Sequence, residues 1–367
     1  MAKHITKTRK DGKMSKSIKE SYSPTIYGTG LVSLDIVVSA DPDKPCYQWA
    51  GGTCGNVLTI LAYLGWNSFP IARLNRDTAS TRVKSDMMSW GVELDFSELA
   101  PTTNTPVITQ EISKDKNGQA THKFHWKNCP KCGAWLPNYQ PVTLSAIKNI
   151  KHKISAANVF FFDRVSAGAL DLAMYFKSLG AVIVFEPSAK ASLSHLEQAL
   201  TISDIVKYSN RRVLAPIRDI KSHTSAFLEI QTLGSRGLRY RSHLKLHIGS
   251  KWKTLPALKA GVVRDTCGCG DWTTAGLISK IFEKSPIEFA NLSESDVVEA
   301  LKYGQALAAW NCNFEGARGG MYSASKIVFN RDIRQILTNG EQKKKNYMRK
   351  LPDDIALETG SCPSCPH

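Results

Sequence analysis

The chain of 367 residues reads as an α/β protein, with a mainly parallel central sheet covered by helices on both faces and a small β lid. Three observations predict this. Short apolar runs recur between helical patterns: NVFFFDR at 158–164, AVIVFEPS at 181–188, DIVKYSN at 204–210 and AFLEIQTLGSRGLRY at 226–240, with SAGALDLAMYFKSLG as one intervening helix. Hydrophobic content is 42%, enough for one large core with a small appendage. Two segments, IVVSADPDKPCYQW and PVITQEISKDKNGQATHKFHW, alternate and turn outside the strand–helix order, which places the lid at about 36–49 and 105–127.

From the N-terminus, residues 1–23 are polar and lysine-rich with no hydrophobic segment, so a disordered basic tail is expected and a secretory signal is not. GTGLVSLDIVV (28–38) reads as a strand ending in glycine turns and an outward carboxylate, Asp35. AGGTCGNVLTILAYLGW follows, with Gly51, Gly52, Asn56 and a closing Leu64-Gly65. IARLNRDTASTRVKSDMMSWGVELDF reads as a helix, with Asp77 in the turn before it and Gly91-Val92 after it. The TLGSRG turn is by default a hairpin connection. One domain is expected over 24–330, with a C-terminal extension over 331–367. No apolar run is long enough to span a bilayer, and a cytoplasmic location is expected.

Asp265-Thr266-Cys267-Gly268-Cys269-Gly270-Asp271 is followed at once by the helical pattern WTTAGLISKIFEK. Two glycines among small residues just before a helix let backbone N–H groups converge on an anion. The Asp271 carboxylate then stands where a base would take a proton from a hydroxyl attacking a phosphate. An ordinary loop with an Asp cap is the alternative for an isolated glycine pair.

This segment resembles the Asp-Thr-x-Gly-Ala-Gly-Asp signature of the ribokinase-like (PfkB) carbohydrate kinases, with Cys269 in the alanine position. The resemblance runs from Gly28 to about residue 325 and implies a ribokinase-like three-layer sandwich. It implies that Gly268, Cys269 and Gly270 donate amides to the transferred phosphoryl and that Asp271 is the general base. It further implies that Asp35, Gly51, Gly52 and Asn56 recognise acceptor hydroxyls. Asn210, Thr232, Gly234, Gly237, Asp265 and Thr266 fall on the nucleotide side, with Gly316-Ala317 closing the adenine side. Arg164 is a further candidate for acceptor or phosphate contact, against a plain salt-bridge role. The family's Asn-x-x-Glu pattern, which orders magnesium and phosphate, is broken here: Arg211 and Arg212 follow Asn210. Those arginines either meet phosphate directly or are solvated.

The formal net charge is +16, and only part of it lies in the tail, where seven basic residues from Lys3 to Lys19 face Asp11 and Glu20. Such a surface attracts phosphorylated molecules and also nucleic acid, but no nucleic-acid motif accompanies it, so solvated charge is the default. Nine cysteines without an export signal suggest thiols or metal. Cys129-Pro-Lys-Cys132 and Cys362-Pro-Ser-Cys365 each present two thiolates, and together they would complete one tetrahedral structural Zn2+ site, with His122, His125 and His367 in reserve. Cys54, Cys267 and Cys269 read as small loop residues; Cys46 and Cys312 carry no assigned role.

The leading expectation is therefore transfer of the γ-phosphoryl group of ATP, with Mg2+, to a hydroxyl of a sugar or sugar derivative. A homodimer through the lid strands is also expected. Two other readings stay open. One is a nucleoside kinase, with Tyr47, Trp49 and Trp126 available to stack on a base. The other is a catalytically retired ligand sensor or nucleic-acid-contacting protein.

Overall fold

The structure, a computed structural model, describes residues 23–41, 43–98, 104–118, 120–211, 226–243, 251–283, 289–345 and 347. Its central sheet is built from β1 (Thr25–Thr29), β4 (Asn67–Ile71), β7 (Val159–Phe162), β8 (Val182–Phe185), β9 (Ile205–Ser209), β10 (Leu228–Thr232), β11 (Leu238–Ser242) and β12 (Lys253–Leu255). The strand order is β12-β11-β10-β9-β8-β7-β1-β4; β10 through β4 run parallel, and the β10–β11–β12 edge is antiparallel. Nearly every position of β7, β8 and β9 is buried, as a sheet covered on both faces requires.

Alternation along the strands splits the interior into two cores. Phe160, Phe162, Ile183, Phe185 and Val206 face one core, with α3 (Leu144–Ile150), α4 (Ala167–Ser178) and α5 (Leu193–Ile202). Val159, Phe161, Val182, Val184 and Ile205 face the other, with α1 (Thr53–Tyr63), α6 (Cys269–Ile281) and α7 (Glu294–Asn311). Short α8 (Gly319–Ser323) and longer α9 (Lys326–Asn339) complete that second layer. Trp272 of α6, Trp310 of α7 and Phe329 of α9 pack ring against ring at 4.9–6.2 Å, each burying ~150–250 Å² of largely apolar surface.

The lid is a separate sheet of β2 (Ser33–Val38), β3 (Tyr47–Gly51), β5 (Val107–Lys114) and β6 (Ala120–His125), in the order β3-β2-β5-β6. α2 (Thr78–Ser89) packs beneath it and starts at Asp77, whose side chain accepts the Ser80 N–H at 2.7 Å. In that register Asp35 lies opposite Trp49 on one side and Ile108 on the other.

Three expectations are corrected here. The single strand expected over 28–38 is two strands in two sheets, because the chain turns at Gly30, where φ is 146° and a Cβ would collide with the Asp163 carboxylate. Asp35 therefore sits within a lid strand, not in a turn at a strand end. The lid also begins and ends wider than expected, taking in Ser33–Val38 and Tyr47–Gly51 whole. Finally, the boundary expected at residue 330 falls inside α9, whose Phe329, Ile333 and Ile336 recur at helical spacing and belong to the core. Residues 1–22 and 348–367, and with them the basic tail and the Cys362/Cys365 pair, lie outside the described residues.

Candidate active site

The site forms where the first turn of α6 meets the lid and the carboxyl ends of the parallel strands, the place an open α/β sheet offers a ligand. Gly268 caps α6 with φ 75°, and a Cβ there would stand 2.3 Å from the Ala317 carbonyl, so the sequence needs glycine at this point. The first regular helical bond runs from Trp272 N–H to Gly268 O at 2.9 Å, so the amides of the first turn have no i−4 partner within the helix. The Cys269 N–H leans back to the Thr266 carbonyl at a long 3.4 Å. Its thiol lies 3.3 Å from the Cys312 sulfur, and that contact together with burial pushes it well above the ordinary thiol range. Asp271 occupies the third helical position.

Beside this turn, a Cβ on Gly270 would stand 3.4 Å from Glu186 Oε1 and 3.5 Å from Lys207 Nζ. Lys207 is almost fully buried and pairs with Glu186 at 2.6 Å; Thr274 Oγ1 donates to the other Glu186 oxygen at 2.7 Å. Strand alternation aims Lys207 at the α6 side, the same face as Ile205.

Toward the lid, Asn56 Nδ2 donates to Asp271 Oδ2 at 2.7 Å, and Asn56 Oδ1 accepts from Arg318 Nε at 3.1 Å. Arg318 is fully buried. It pairs with Asp86 at 2.7 Å and donates to the Ala50 carbonyl, while Tyr322 OH donates to the other Asp86 oxygen at 2.7 Å. A chain of hydrogen bonds from Asp86 through Arg318 and Asn56 thus orients Asp271. Asp35 stands over Gly51, where a Cβ would come within 1.9 Å of its carboxylate. It accepts from Ser33 Oγ at 2.7 Å, and burial pushes its carboxyl up to about 6 against the opposing pull of Ser33 and Arg318.

Farther along the sheet, β9 and β10 end together: Asn210 N–H donates to Thr232 O at 3.0 Å, and Gly234 and Gly237 form the turn into β11. Arg211 is exposed; Arg212 lies outside the described residues. Thr266 is exposed beside the loop, whereas Asp265 is buried beneath it.

Several expected positions land elsewhere than the sequence suggested. Gly316 packs on Trp49 of the lid and donates its N–H to Asp265 Oδ2 at 2.9 Å. Arg164 is held by Asp163 at 2.7 Å and by Ser188, within an internal cluster whose Asp163 also accepts the Leu31 N–H at 2.9 Å. Trp49 is buried and stacked on Tyr322 at 4.9 Å, so it is core and not a platform for a base; Tyr47 stacks behind it at 5.9 Å. Trp126 is 43% exposed at the end of the lid. Sequence reasoning missed Arg318, Asp86, Glu186, Lys207 and the lid residue Gln110, and it read His122, which lies against Asp265, only as a reserve metal ligand.

Cys129 and Cys132 lie on a tight turn after β6. Cys129 N–H donates to Ala134 O at 2.8 Å, Gly133 N–H to Cys129 O at 3.0 Å, and Lys131 N–H points at the Cys129 sulfur at 3.4 Å. Among the described residues no three His, Cys, Asp or Glu side chains gather as a metal group.

The model of the pfkB family carbohydrate kinases matches residues 47–323. The chain belongs to that family. Its fold matches solved family-like kinases. An uncharacterized sugar kinase from Pyrococcus horikoshii superposes with a TM-score of 0.63 at 18% identity, over 85% of this chain and 99% of that one. Aminoimidazole riboside kinase from Salmonella enterica, complexed with aminoimidazole riboside and an ATP analog, gives 0.61 at 18% identity over 85% and 99%. Fructokinase from Xylella fastidiosa with bound ATP gives 0.60 at 18% over 80% and 93%. At these identities the likeness is one of fold. No curated protein matches the chain. For a PfkB-family chain, the central parallel sheet with a small sheet over its strand ends is the family architecture, and DTCGCGD falls at the N-terminus of α6 within it.

Proposed function

We propose that the chain is an ATP-dependent kinase that transfers the γ-phosphoryl group to a hydroxyl of a sugar or sugar derivative, with Asp271 as general base. The observation that carries this reading is the placement of Asp271. It stands in the first turn of α6, with its carboxylate held by Asn56 at 2.7 Å. ATP supplies the transferable phosphoryl group. The residues present suit its phosphates: the start of α6 offers a helix N-terminus, and the Lys207 ammonium lies beside Gly270, paired with Glu186. Mg2+ keeps several waters and takes phosphate oxygens, so it needs few protein ligands; Glu186, whose oxygens Lys207 and Thr274 hold beside Gly270, is the carboxylate that would hold it, through water. Asp35 accepts acceptor hydroxyls, Asn56 aims Asp271, and Asp271 takes the proton as the hydroxyl oxygen attacks. The α6 amides stabilise charge on the group in transfer.

A sugar acceptor is favoured over a nucleoside because Trp49, the central lid aromatic, is already stacked on Tyr322. The aminoimidazole riboside bound by the Salmonella enterica kinase keeps the nucleoside alternative in the test. A structural Zn2+ on Cys129, Cys132, Cys362 and Cys365 completes the proposed cofactors. No helix among the described residues is long and apolar enough to cross a membrane.

The test is a phosphoryl-transfer screen with ATP and Mg2+ over sugars, sugar acids and nucleosides. Turnover on a sugar-class acceptor is expected, and Asp271→Asn should lower it by about two to four orders of magnitude while ATP binding persists. Undiminished turnover in the folded variant would remove Asp271 as the base, and ATP hydrolysis independent of every acceptor would remove the kinase reading.

A further inference from the structure

One face of the lid carries more than acceptor recognition. Asp35 lies opposite Ile108, and Gln110, two residues on, shares that face; in the antiparallel pair beyond it, Gln110 lies opposite Phe124 and Ile112 opposite His122. Asp35, Gln110 and His122 therefore look the same way, toward α6. Gln110 Nε2 donates to Asp265 Oδ2 at 2.6 Å, and His122 Nδ1 lies 3.0 Å from Asp265 Oδ1. The same carboxylate also accepts the Cys267 N–H at 2.9 Å and the Gly316 N–H at 2.9 Å. Four donors from the lid, the DTCGCGD loop and the 312–317 turn thus meet on one side chain that is 1% exposed. Gly268 is wedged against Ala317, the neighbour of Gly316, so the loop and the turn move together.

We propose that Gln110 and His122 are positioning residues that couple seating of the lid to the geometry of the Gly268–Gly270 amides through Asp265. Burial alone would raise the Asp265 carboxyl; the bonds from His122 and the two amides outweigh it and hold the group below its usual range, so the latch is a charged one. When the lid sits over an acceptor, its two donors pin Asp265, and Asp265 fixes the loop and the turn on either side of Gly268. When a lid donor is missing, the carboxylate keeps unmet acceptor capacity in a dry setting, and the loop loses its fixed reference. The inference rests on the kinase reading for its kinetic consequence, not for its structural one.

The test compares His122→Leu and Gln110→Met, which remove the donors, with His122→Asn, whose amide retains a donor near the Nδ1 position. With the acceptor found in the screen, His122→Leu and Gln110→Met should lower kcat about ten- to a hundredfold, as a misplaced reaction centre does, with KM for ATP changed less than about threefold. His122→Asn should recover most of the loss. In ligand-free protein, amide hydrogen exchange over 262–272 should quicken in the Leu and Met variants by more than it does over α4 and α5, and should not quicken in the Asn variant. Unaltered kcat in the folded Leu and Met variants, equal losses in His122→Asn and His122→Leu, or unaltered exchange over 262–272 would each overturn the coupling. If His122→Leu does not fold, Gln110→Met decides it alone. A wild type without acceptor-dependent turnover would overturn the kinase reading instead, and the exchange measurement would still decide the latch.

Discussion

Asp35 shows how a single environment sets a pH response. Burial pushes its carboxyl up to about 6, whereas the unfolded chain releases that proton near 4. Between those values the folded protein binds more protons than the unfolded one, so the contribution of this group to stability falls as pH rises from about 4 to about 6 and is level above. Acceptor binding runs the opposite way, because the ionised carboxylate is the better hydrogen-bond acceptor. At saturating ATP and Mg2+, kcat/KM for the acceptor should rise through an apparent pKa near 6. Asp35→Asn should abolish that inflection and raise the acceptor KM about 10- to 100-fold, as expected for a hydrogen bond to a charged group. A profile identical to wild type would move Asp35 out of the acceptor site. At this scale the sequence was legible wherever the chemistry is local: Gly268, Gly270 and Asp271 lie within four residues and carry their own signature. It was silent where partners are distant. Arg318 reaches Asn56 across 262 positions and Asp86 across 232, and a buried arginine carries no local mark.

The helix that bears Asp271 is fixed by how closely it meets its neighbour. A Cβ on Gly276 of α6 would come within 2.7 Å of Gly304 Cα in α7, and a Cβ on Gly304 within 2.5 Å of the Thr273 carbonyl. These are backbone contacts that no rotamer change can relieve, so the glycine pair sets the distance between the two helices. Gly304→Ala should therefore push α6 away from α7. The expected result is a loss of about 1–3 kcal/mol in stability, read from denaturant unfolding, together with a fall in kcat, because the proposed base Asp271 rides on the displaced helix. Unchanged stability and turnover would show that the crossing tolerates a methyl group. The elements themselves were largely readable: the apolar runs at 158–164, 181–188, 204–210 and 226–240 each hold a strand, the last a hairpin. The merged strand at 28–38 failed because apolar alternation continues across Gly30, and pattern alone does not reveal a change of sheet.

Across the whole molecule, the large sheet supplies a rigid floor, and the lid, α6 and the 312–317 turn meet above it at Asp265, Trp49 and Gly316. A second long-range tie is the proposed Zn2+ clip between the turn after β6 and the C-terminal segment. Its first half is the tight turn that carries Cys129 and Cys132. Gly133 takes φ 76°, and the Lys131 amide is directed at the Cys129 sulfur at 3.4 Å. This turn adjoins the lid, because Pro137 accepts the Val107 N–H at the start of β5 at 3.1 Å. Tyr347 is packed on Phe314 at 4.5 Å, and from it the chain to Cys362 can span up to ~50 Å. Four protein ligands would close the coordination shell, which makes the ion structural and leaves phosphoryl transfer to Mg2+. Protein purified without added zinc should carry one Zn2+ per chain, and truncation after Gly360 or Cys129→Ser should release it and lower the melting temperature, since metal affinity is folding free energy. Turnover by the truncated protein should persist, because the site lies apart from Asp271. Metal-free full-length protein, or zinc undiminished by the truncation, would show that the two cysteine pairs do not share an ion.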